Sequence, residues 1–313
     1  MKVVFLDTVH PILNEELTAN GYNCIDASAK SMEQCVDLLK DAIGIVIRSR
    51  FSLDKNILDH CKNLKFIARS GAGMENIDID YCNSRNITLY NAPEGNRNAV
   101  AEHALGMLLS LFNNLNKGDS EIRNGTWDRE GNRGIELDGK TIGIIGYGNN
   151  GSAFIKKLSG FDVEILVYDK YKSGFSNNQI KEATLSEIQE KATVLSFHIP
   201  QNEETIYFGN SSFFDGFLNN FYLINLSRGK IIKTADLVAA IKSTKILGAC
   251  LDVLEYEKSS FESFFDQEIP EELQALFAAE NVCLSPHVGG WTTQSYIKLS
   301  SVLADKILAD EPN

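Results

Sequence analysis

The stretch Ile142-Gly143-Ile144-Ile145-Gly146-Tyr147-Gly148-Asn149-Asn150-Gly151 decides how the rest of the chain reads. Ile142, Ile144 and Ile145 suit a buried parallel strand. Gly146, Gly148 and Gly151 then stand at G-x-G-x-x-G spacing, and Ser152–Leu158 can continue as a helix. Each glycine serves a physical need, with a tight turn at Gly146, close backbone approach to a pyrophosphate at Gly148, and close helix–strand packing at Gly151. The helix N-terminus offers N–H groups to the phosphates. A second apolar run, Val163–Tyr168, ends in Asp169, about 20 residues on, where a carboxylate can accept hydrogen bonds from the adenosine ribose. The same carboxylate repels a 2′-phosphate, so the expected cofactor is NAD rather than NADP. Lys170 and Lys172 beside it weaken that preference.

Outward from this fingerprint, apolar runs alternate with amphipathic segments. Strands are expected at 2–6, 22–26, 44–47, 65–68 and 87–89, then at 141–145, 163–168, 193–197, 221–225, 246–251 and 281–284. Helical patterns lie between them, at 12–19, 31–40, 235–242 and 271–278. Such alternation is the mark of parallel α/β sheets. The fingerprint does not come first, so an α/β unit with strands of its own precedes it. The segment 99–116 reads as a connecting helix, and the polar stretch 117–139 as an arm or loop between domains.

The chain has 313 residues, enough for two domains, and its 43% hydrophobic and 23% charged content is that of a globular protein. A net charge of −12 argues against nucleic acid or an anionic membrane as partner. No apolar run approaches the ~20 residues of a membrane span. The start, Met1-Lys-Val-Val-Phe-Leu-Asp7, reads as a first strand rather than a signal peptide. The six cysteines are scattered without a C-x-x-C pair, which suits reduced thiols in a cytoplasm. No spacing points to a metal site.

Chemistry concentrates at strand exits. Arg228 follows the run ending at Asn225, and an arginine there can grip a carboxylate bidentately. His287, between Pro286 and Val288-Gly289-Gly290, follows the run ending at Leu284 and can exchange a proton near neutral pH. Glu257 follows the strand ending at Leu251; a carboxylate there can orient the His287 ring, and Glu255 is an alternative. His198 leaves another strand of the same edge and reads as a cofactor-pocket residue. His10, His60 and His103 read as peripheral.

Taken together, these residues make the chain resemble the D-2-hydroxyacid dehydrogenases, the family that includes D-3-phosphoglycerate dehydrogenase. The similar blocks run nearly end to end: Gly71-Ala-Gly73 through Asp78, Asn91-Ala-Pro93, Val100-Ala-Glu102, Glu136 through Gly146, Asn225-Leu-Ser-Arg228-Gly229, Gly248 through Glu257, and Ser285-Pro-His287-Val-Gly-Gly290. The resemblance implies that Arg228, Glu257 and His287 are catalytic, and it prefers Glu257 to Glu255 by its distance from Asp252. Lys258 departs from the proline usual there. The cofactor pocket is implied to include Gly146, Gly148, Asn149, Asn150, Gly151, Asp169, His198, Pro200, Ser227, Asp252, Gly289 and Gly290.

The implied architecture is two doubly wound parallel-sheet domains. A Rossmann nucleotide domain (99–287) is inserted in a flavodoxin-like substrate domain (1–98, with 288–313 returning to it), and the chain is expected to dimerise through the nucleotide domain. With 26 residues after His287, a C-terminal regulatory domain is not expected. In the substrate domain, the loop Ser70-Gly71-Ala72-Gly73 offers backbone N–H groups as an anion nest. Arg48 and Arg50, two residues apart after a strand, are expected to project to one side; Arg69 joins them. A triplet of arginines in so acidic a chain suits a phosphate, so D-3-phosphoglycerate is the expected substrate. The alternatives are a glyoxylate, hydroxypyruvate or other 2-ketoacid reductase, and an NAD-binding corepressor.

Overall fold

The computed structural model describes residues 1–257 and 268–310, which form two compact units. The first holds Met1–Arg97 and the segment from Trp291 onward; the second holds Asn98–Glu257 and residues 268–290. Lys258 lies outside the described residues.

The first unit is built on five parallel strands, β1 (Lys2–Phe5), β2 (Asn23–Asp26), β3 (Gly44–Ile47), β4 (Phe66–Arg69) and β5 (Thr88–Asn91), in the order β2-β1-β3-β4-β5. That is the flavodoxin-like doubly wound order. The burial pattern of β3 is continuous, as it must be for a strand covered on both faces. One face carries Leu39, Ile45, Ile47, Leu58 and Ile67; the other carries Phe5, Leu13, Leu17, Phe66 and Tyr90. The second face is closed by the helix Thr293–Asp310 through Leu299, Leu303 and Ile307. Its Lys306 donates to Asn91 O and pairs with Glu94 at 3.0 Å. Cutting the fully buried Leu303 to alanine should cost about 2–5 kcal/mol.

The second unit is built on seven parallel strands, β6 (Thr141–Ile145), β7 (Glu164–Tyr168), β8 (Lys181–Glu182), β9 (Val194–Phe197), β10 (Phe221–Asn225), β11 (Ile246–Leu251) and β12 (Val282–Leu284). Their order is β12-β11-β10-β9-β6-β7-β8, so the strand order reverses at β6 and β9. That reversal is the switch point at which open α/β sheets leave a crevice for a ligand. Each expected strand falls in a sheet. β8 alone escaped the reading, because a two-residue polar edge strand carries no apolar signal.

Two expectations are corrected. The helix expected over 99–116 runs from Pro93 to Phe112. Proline is tolerated in the first turn, where its missing N–H has no partner to lose, and Asn114 breaks the run with φ of 51°. The stretch 117–139 is not a link between domains: it lies within the second unit and opens with the helix Leu115–Arg123, which buries none of its residues. Without a buried face, that helix left little trace in the apolar pattern. No helix among the described residues is long and apolar enough to cross a membrane.

Candidate active site

The glycine loop follows β6 at the switch point. Gly146 has φ of +102°, and a side chain there would put its Cβ 2.4 Å from His198 O. A Cβ at Gly151 would stand 2.0 Å from Gly146 O, so only glycine lets the helix Asn149–Leu158 pack this tightly on the strand. Gly148, by contrast, faces open space, and no side chain caps this helix. The Asn150 Oδ1 atom is buried without a hydrogen-bond partner in the protein. An open backbone approach and an uncapped helix N-terminus fit a dinucleotide pyrophosphate.

Asp169, at the exit of β7, takes Tyr147 N–H on one oxygen (2.7 Å) and the N–H groups of Tyr171 and Lys172 on the other (2.9 and 3.0 Å). Partial burial pushes its carboxyl up, but these three bonds and the Lys172 ammonium outweigh it and hold the group below the usual carboxylate range. It is therefore ionised where a ribose would lie. The neighbouring lysines are already engaged. Lys172 Nζ donates to Tyr147 O at 2.8 Å, and Lys170 pairs with Glu204.

His198 lies against the glycine loop. Its ring bonds Ser196 Oγ at 2.9 Å and lies against Phe154, and burial pushes its pKa down to about 4. The imidazole is thus a neutral packing group, and the glycine loop meets the residue's backbone carbonyl instead. Ser227 is also buried, donating to Phe197 O at 2.6 Å. Pro200 O accepts from Thr205 Oγ1.

Strands β10, β11 and β12 are neighbours, with Asn225 opposite Leu251 and Leu251 opposite Leu284. The loops leaving them carry Arg228, Glu257 and His287. Glu257 Oε2 stands 2.6 Å from His287 Nδ1, and its Oε1 accepts Leu254 N–H. Since the carboxylate only accepts, Nδ1 carries the hydrogen, and a proton exchanged by the ring would pass through Nε2. Glu255 does not compete for the ring. It accepts Tyr207 OH at 2.6 Å and the N–H of Thr234 at 2.8 Å, at the start of the helix Thr234–Lys242. Gly229 presses on the same loop: a Cβ there would lie 1.9 Å from Leu254 O. The Arg228 loop and the Glu257 loop are therefore packed backbone to backbone. Arg228 is extended and donates from Nη1 to Ser227 O at 2.6 Å.

His287 has φ of 53°, an uncommon conformation for a residue with a side chain. Asp252 holds it there. Its carbonyl accepts His287 N–H at 2.8 Å, and its buried carboxylate accepts Val288 N–H (2.9 Å), Gly289 N–H (2.8 Å) and the Ser285 hydroxyl (2.6 Å). Asp252, expected in the cofactor pocket, thus shapes the loop that carries the histidine, and Gly290 ends that loop. His103, read as peripheral, also belongs here, with Nε2 2.9 Å from Ser285 Oγ. Only its position on the helix Pro93–Phe112 could have hinted at this, because no local pattern marks it. No group of side chains able to hold a metal occurs among the described residues.

The first unit corrects two further expectations. Ser70 N–H and Gly71 N–H are already donated to Ile47 O and Arg69 O, both at 2.8 Å, which leaves Ala72 and Gly73 as the part of the loop that can serve an anion. Arg69 folds over that loop, its Nη1 occupying the space a Gly71 side chain would need. Arg48 and Arg50 are engaged within the unit. Asp7 Oδ2 accepts both their backbone N–H groups (2.7 and 3.2 Å) and curls the chain out of extended geometry. Arg50 then reaches Ser28 O and Leu6 O, while Arg48 lies 4.1 Å over the Trp291 ring and reaches Thr8 O.

Residues 105–289 match the family model of the D-isomer specific 2-hydroxyacid dehydrogenase NAD binding domain, and the chain belongs to this family. D-3-phosphoglycerate dehydrogenase 1 of Saccharomyces cerevisiae is 32% identical over 297 residues, covering 94% of this chain and 63% of that protein. Glyoxylate reductase of Pyrococcus furiosus is 29% identical over 286 residues, covering 88% of this chain and 82% of that protein. The chain thus spans under two thirds of the yeast relative's length. Among solved structures, D-lactate dehydrogenase from Aquifex aeolicus, in complex with NAD and lactic acid, superposes with a TM-score of 0.83 over 99% of this chain and 95% of that one. Its identity is 24%, so that likeness concerns the fold.

Proposed function

We propose that the protein is an NAD-dependent D-2-hydroxyacid dehydrogenase, with Arg228, Glu257 and His287 as its catalytic residues. The observation that carries this reading is the 2.6 Å bond between His287 Nδ1 and Glu257 Oε2, on a loop edge shared with Arg228. NAD, when bound, supplies or accepts the hydride at C2 of the substrate. In oxidation, His287 Nε2 takes the proton of the 2-hydroxyl; in reduction it returns a proton to the carbonyl oxygen. Glu257 fixes the ring's tautomer and stabilises its cation. Arg228 holds the substrate carboxylate and polarises the C2 oxygen.

The substrate proposed first is D-3-phosphoglycerate, oxidised to 3-phosphohydroxypyruvate, supported by the name and coverage of the yeast relative. The second reading is a reductase of glyoxylate, hydroxypyruvate or another unphosphorylated 2-ketoacid. The observation favouring it is that Arg50 is spent on main-chain carbonyls and Arg48 on Trp291 and Thr8 O. NADH oxidation measured against phosphohydroxypyruvate, hydroxypyruvate and glyoxylate side by side separates the two. Failure of these three and of a wider set of unphosphorylated 2-ketoacids, pyruvate included, would overturn the enzyme reading and leave a binding protein. A homodimer through the nucleotide-binding unit is also proposed, because Leu115, Ile122 and Trp127 are exposed there. Light scattering should give twice the chain mass, and Trp127→Asp should halve it.

A further inference from the structure

The side-chain cluster His103–Ser285–Asp252 has no part in the reading above, yet it sits directly beneath the loop that carries His287. We propose that His103 is a positioning residue for His287, acting through the Ser285 hydroxyl and the Asp252 carboxylate. The proposal rests on His287 being the proton-exchanging group.

The direction of each bond follows from counting hydrogens. Asp252 is 2% exposed and its carboxylate can only accept. The Ser285 hydroxyl, 2.6 Å from Asp252 Oδ1, therefore spends its single hydrogen there. The contact between Ser285 Oγ and His103 Nε2 at 2.9 Å must then be a donation from the ring to the hydroxyl. His103 Nε2 also lies 3.7 Å from Asp252 Oδ1. Without that donor, the hydroxyl has another acceptor within reach, the Met107 sulfur at 3.6 Å. Turning toward it would strip Asp252 Oδ1 of one of its donors.

What Asp252 loses matters to His287. The same Oδ1 accepts Val288 N–H, and the partner oxygen accepts Gly289 N–H. These two bonds, with His287 N–H to Asp252 O, hold a histidine at a backbone angle it would not choose alone. The Nε2 atom is placed by that backbone and by the Glu257 bond together. If the loop relaxes, the ring can keep Glu257 and still miss its reaction geometry. The cluster also ties two chain segments close to where the chain passes between units. His103 stands six residues after Arg97, and Ser285 six before Trp291.

The test compares His103→Leu, His103→Gln, Ser285→Ala and the double variant His103→Leu/Ser285→Ala. A glutamine amide can stand near the place of Nε2 and donate as it does. Expected for His103→Leu is a fall in kcat of about 10- to 100-fold, the scale of a small misplacement of a reacting group, with the Kd for NADH unchanged in a calorimetric titration. His103→Gln should recover most of that loss. Ser285→Ala should lose a similar factor, and the double variant no more than either single one, since the residues act in series. Amide exchange at Val288 and Gly289 should quicken in His103→Leu and return in His103→Gln.

Full kcat in His103→Leu would overturn the proposal, as would equal losses in the Leu and Gln variants accompanied by a lower Tm. A rise in the NADH Kd in step with kcat would instead make His103 part of the cofactor pocket. If His103→Leu does not fold, Ser285→Ala against wild type decides by the same readings. Should wild type turn over no 2-ketoacid, or His287→Ala keep its rate, the functional reading fails. The exchange rates at Val288 and Gly289 then still judge the positioning role: unchanged rates in His103→Leu sink it.

Discussion

The two sheets end in loops of similar make-up and opposite use. At the exits of β10, β11 and β12, Asp252 and Glu255 take up backbone N–H groups, and Gly229 brings two loops into contact. Glu257 and His287 are thereby brought together beside Arg228, which itself donates to Ser227 O. In the first unit, Asp7 also takes up backbone N–H groups, but Arg50 turns back to satisfy carbonyls of its own unit. The strand exits of a parallel sheet gather polar residues in both cases. Whether those residues are left for chemistry depends on whether other groups satisfy the backbone first. A buried polar group costs about 1–3 kcal/mol if left unpaired, so the backbone is served before the ligand.

The sharpest way to break this contrast is at the pair proposed as catalytic, His287 and Glu257. His287→Ala should lower kcat by about 10²–10⁴-fold, with NADH affinity nearly intact. Glu257→Gln should act in the same sense and more weakly. Steady-state rates and an NADH titration check both; a His287→Ala enzyme at full rate would make the second unit's exits as structural as the first's.

A smaller effect is expected at Asp169. Its substitution by alanine should weaken NADH binding by about 10- to 150-fold, the worth of a hydrogen bond to a charged acceptor, and narrow the preference over NADPH. Paired titrations with the two cofactors measure it. Wild-type protein that prefers NADPH would overturn the assignment of this carboxylate.

Smaller again, and aimed at the other side of the comparison, is Arg50→Gln. If Arg50 serves the carbonyls of Leu6 and Ser28, the variant should lose about 0.5–1.5 kcal/mol of stability in urea while KM values for phosphorylated and unphosphorylated substrates shift together. A selective rise in KM for phosphohydroxypyruvate would show that Arg50 reads phosphate.

The most gradual expected effect is a pH dependence of stability from His198. Its folded pKa of about 4 lies below the ordinary value of about 6.5. Between these values the unfolded chain binds a proton that the folded one refuses. Stability from this group is therefore complete above about pH 6.5 and declines as pH falls toward 4, by at most about 1.4 kcal/mol per pH unit. Urea midpoints from pH 4 to 7 should show the slope, and His198→Asn should flatten it.

Much of this was legible in the chain itself. Gly146, Gly148, Gly151 and Asp169 announce a dinucleotide loop, because a phosphate turn needs those glycines and a ribose needs an acceptor at the end of the same βαβ unit. The apolar runs announce parallel strands, because a strand covered on both faces has no polar side to show. The strand exits after Asn225, Leu251 and Leu284 announce where chemistry should gather.

Tertiary structure alone decided the partners. Glu255 and Glu257 are both plausible from local spacing, and only the fold turns one to Thr234 and Tyr207 and the other to His287. Arg48 and Arg50 are alike in sequence terms, and Asp7, far away in the chain, takes up both their backbone N–H groups. His103 and Ser285 are separated by more than half the chain, and no periodicity links them. Local sequence specifies which face a residue takes and what its atoms can do. Which atoms it meets is set by contacts between distant segments, whose geometry comes into being only when the sheet closes.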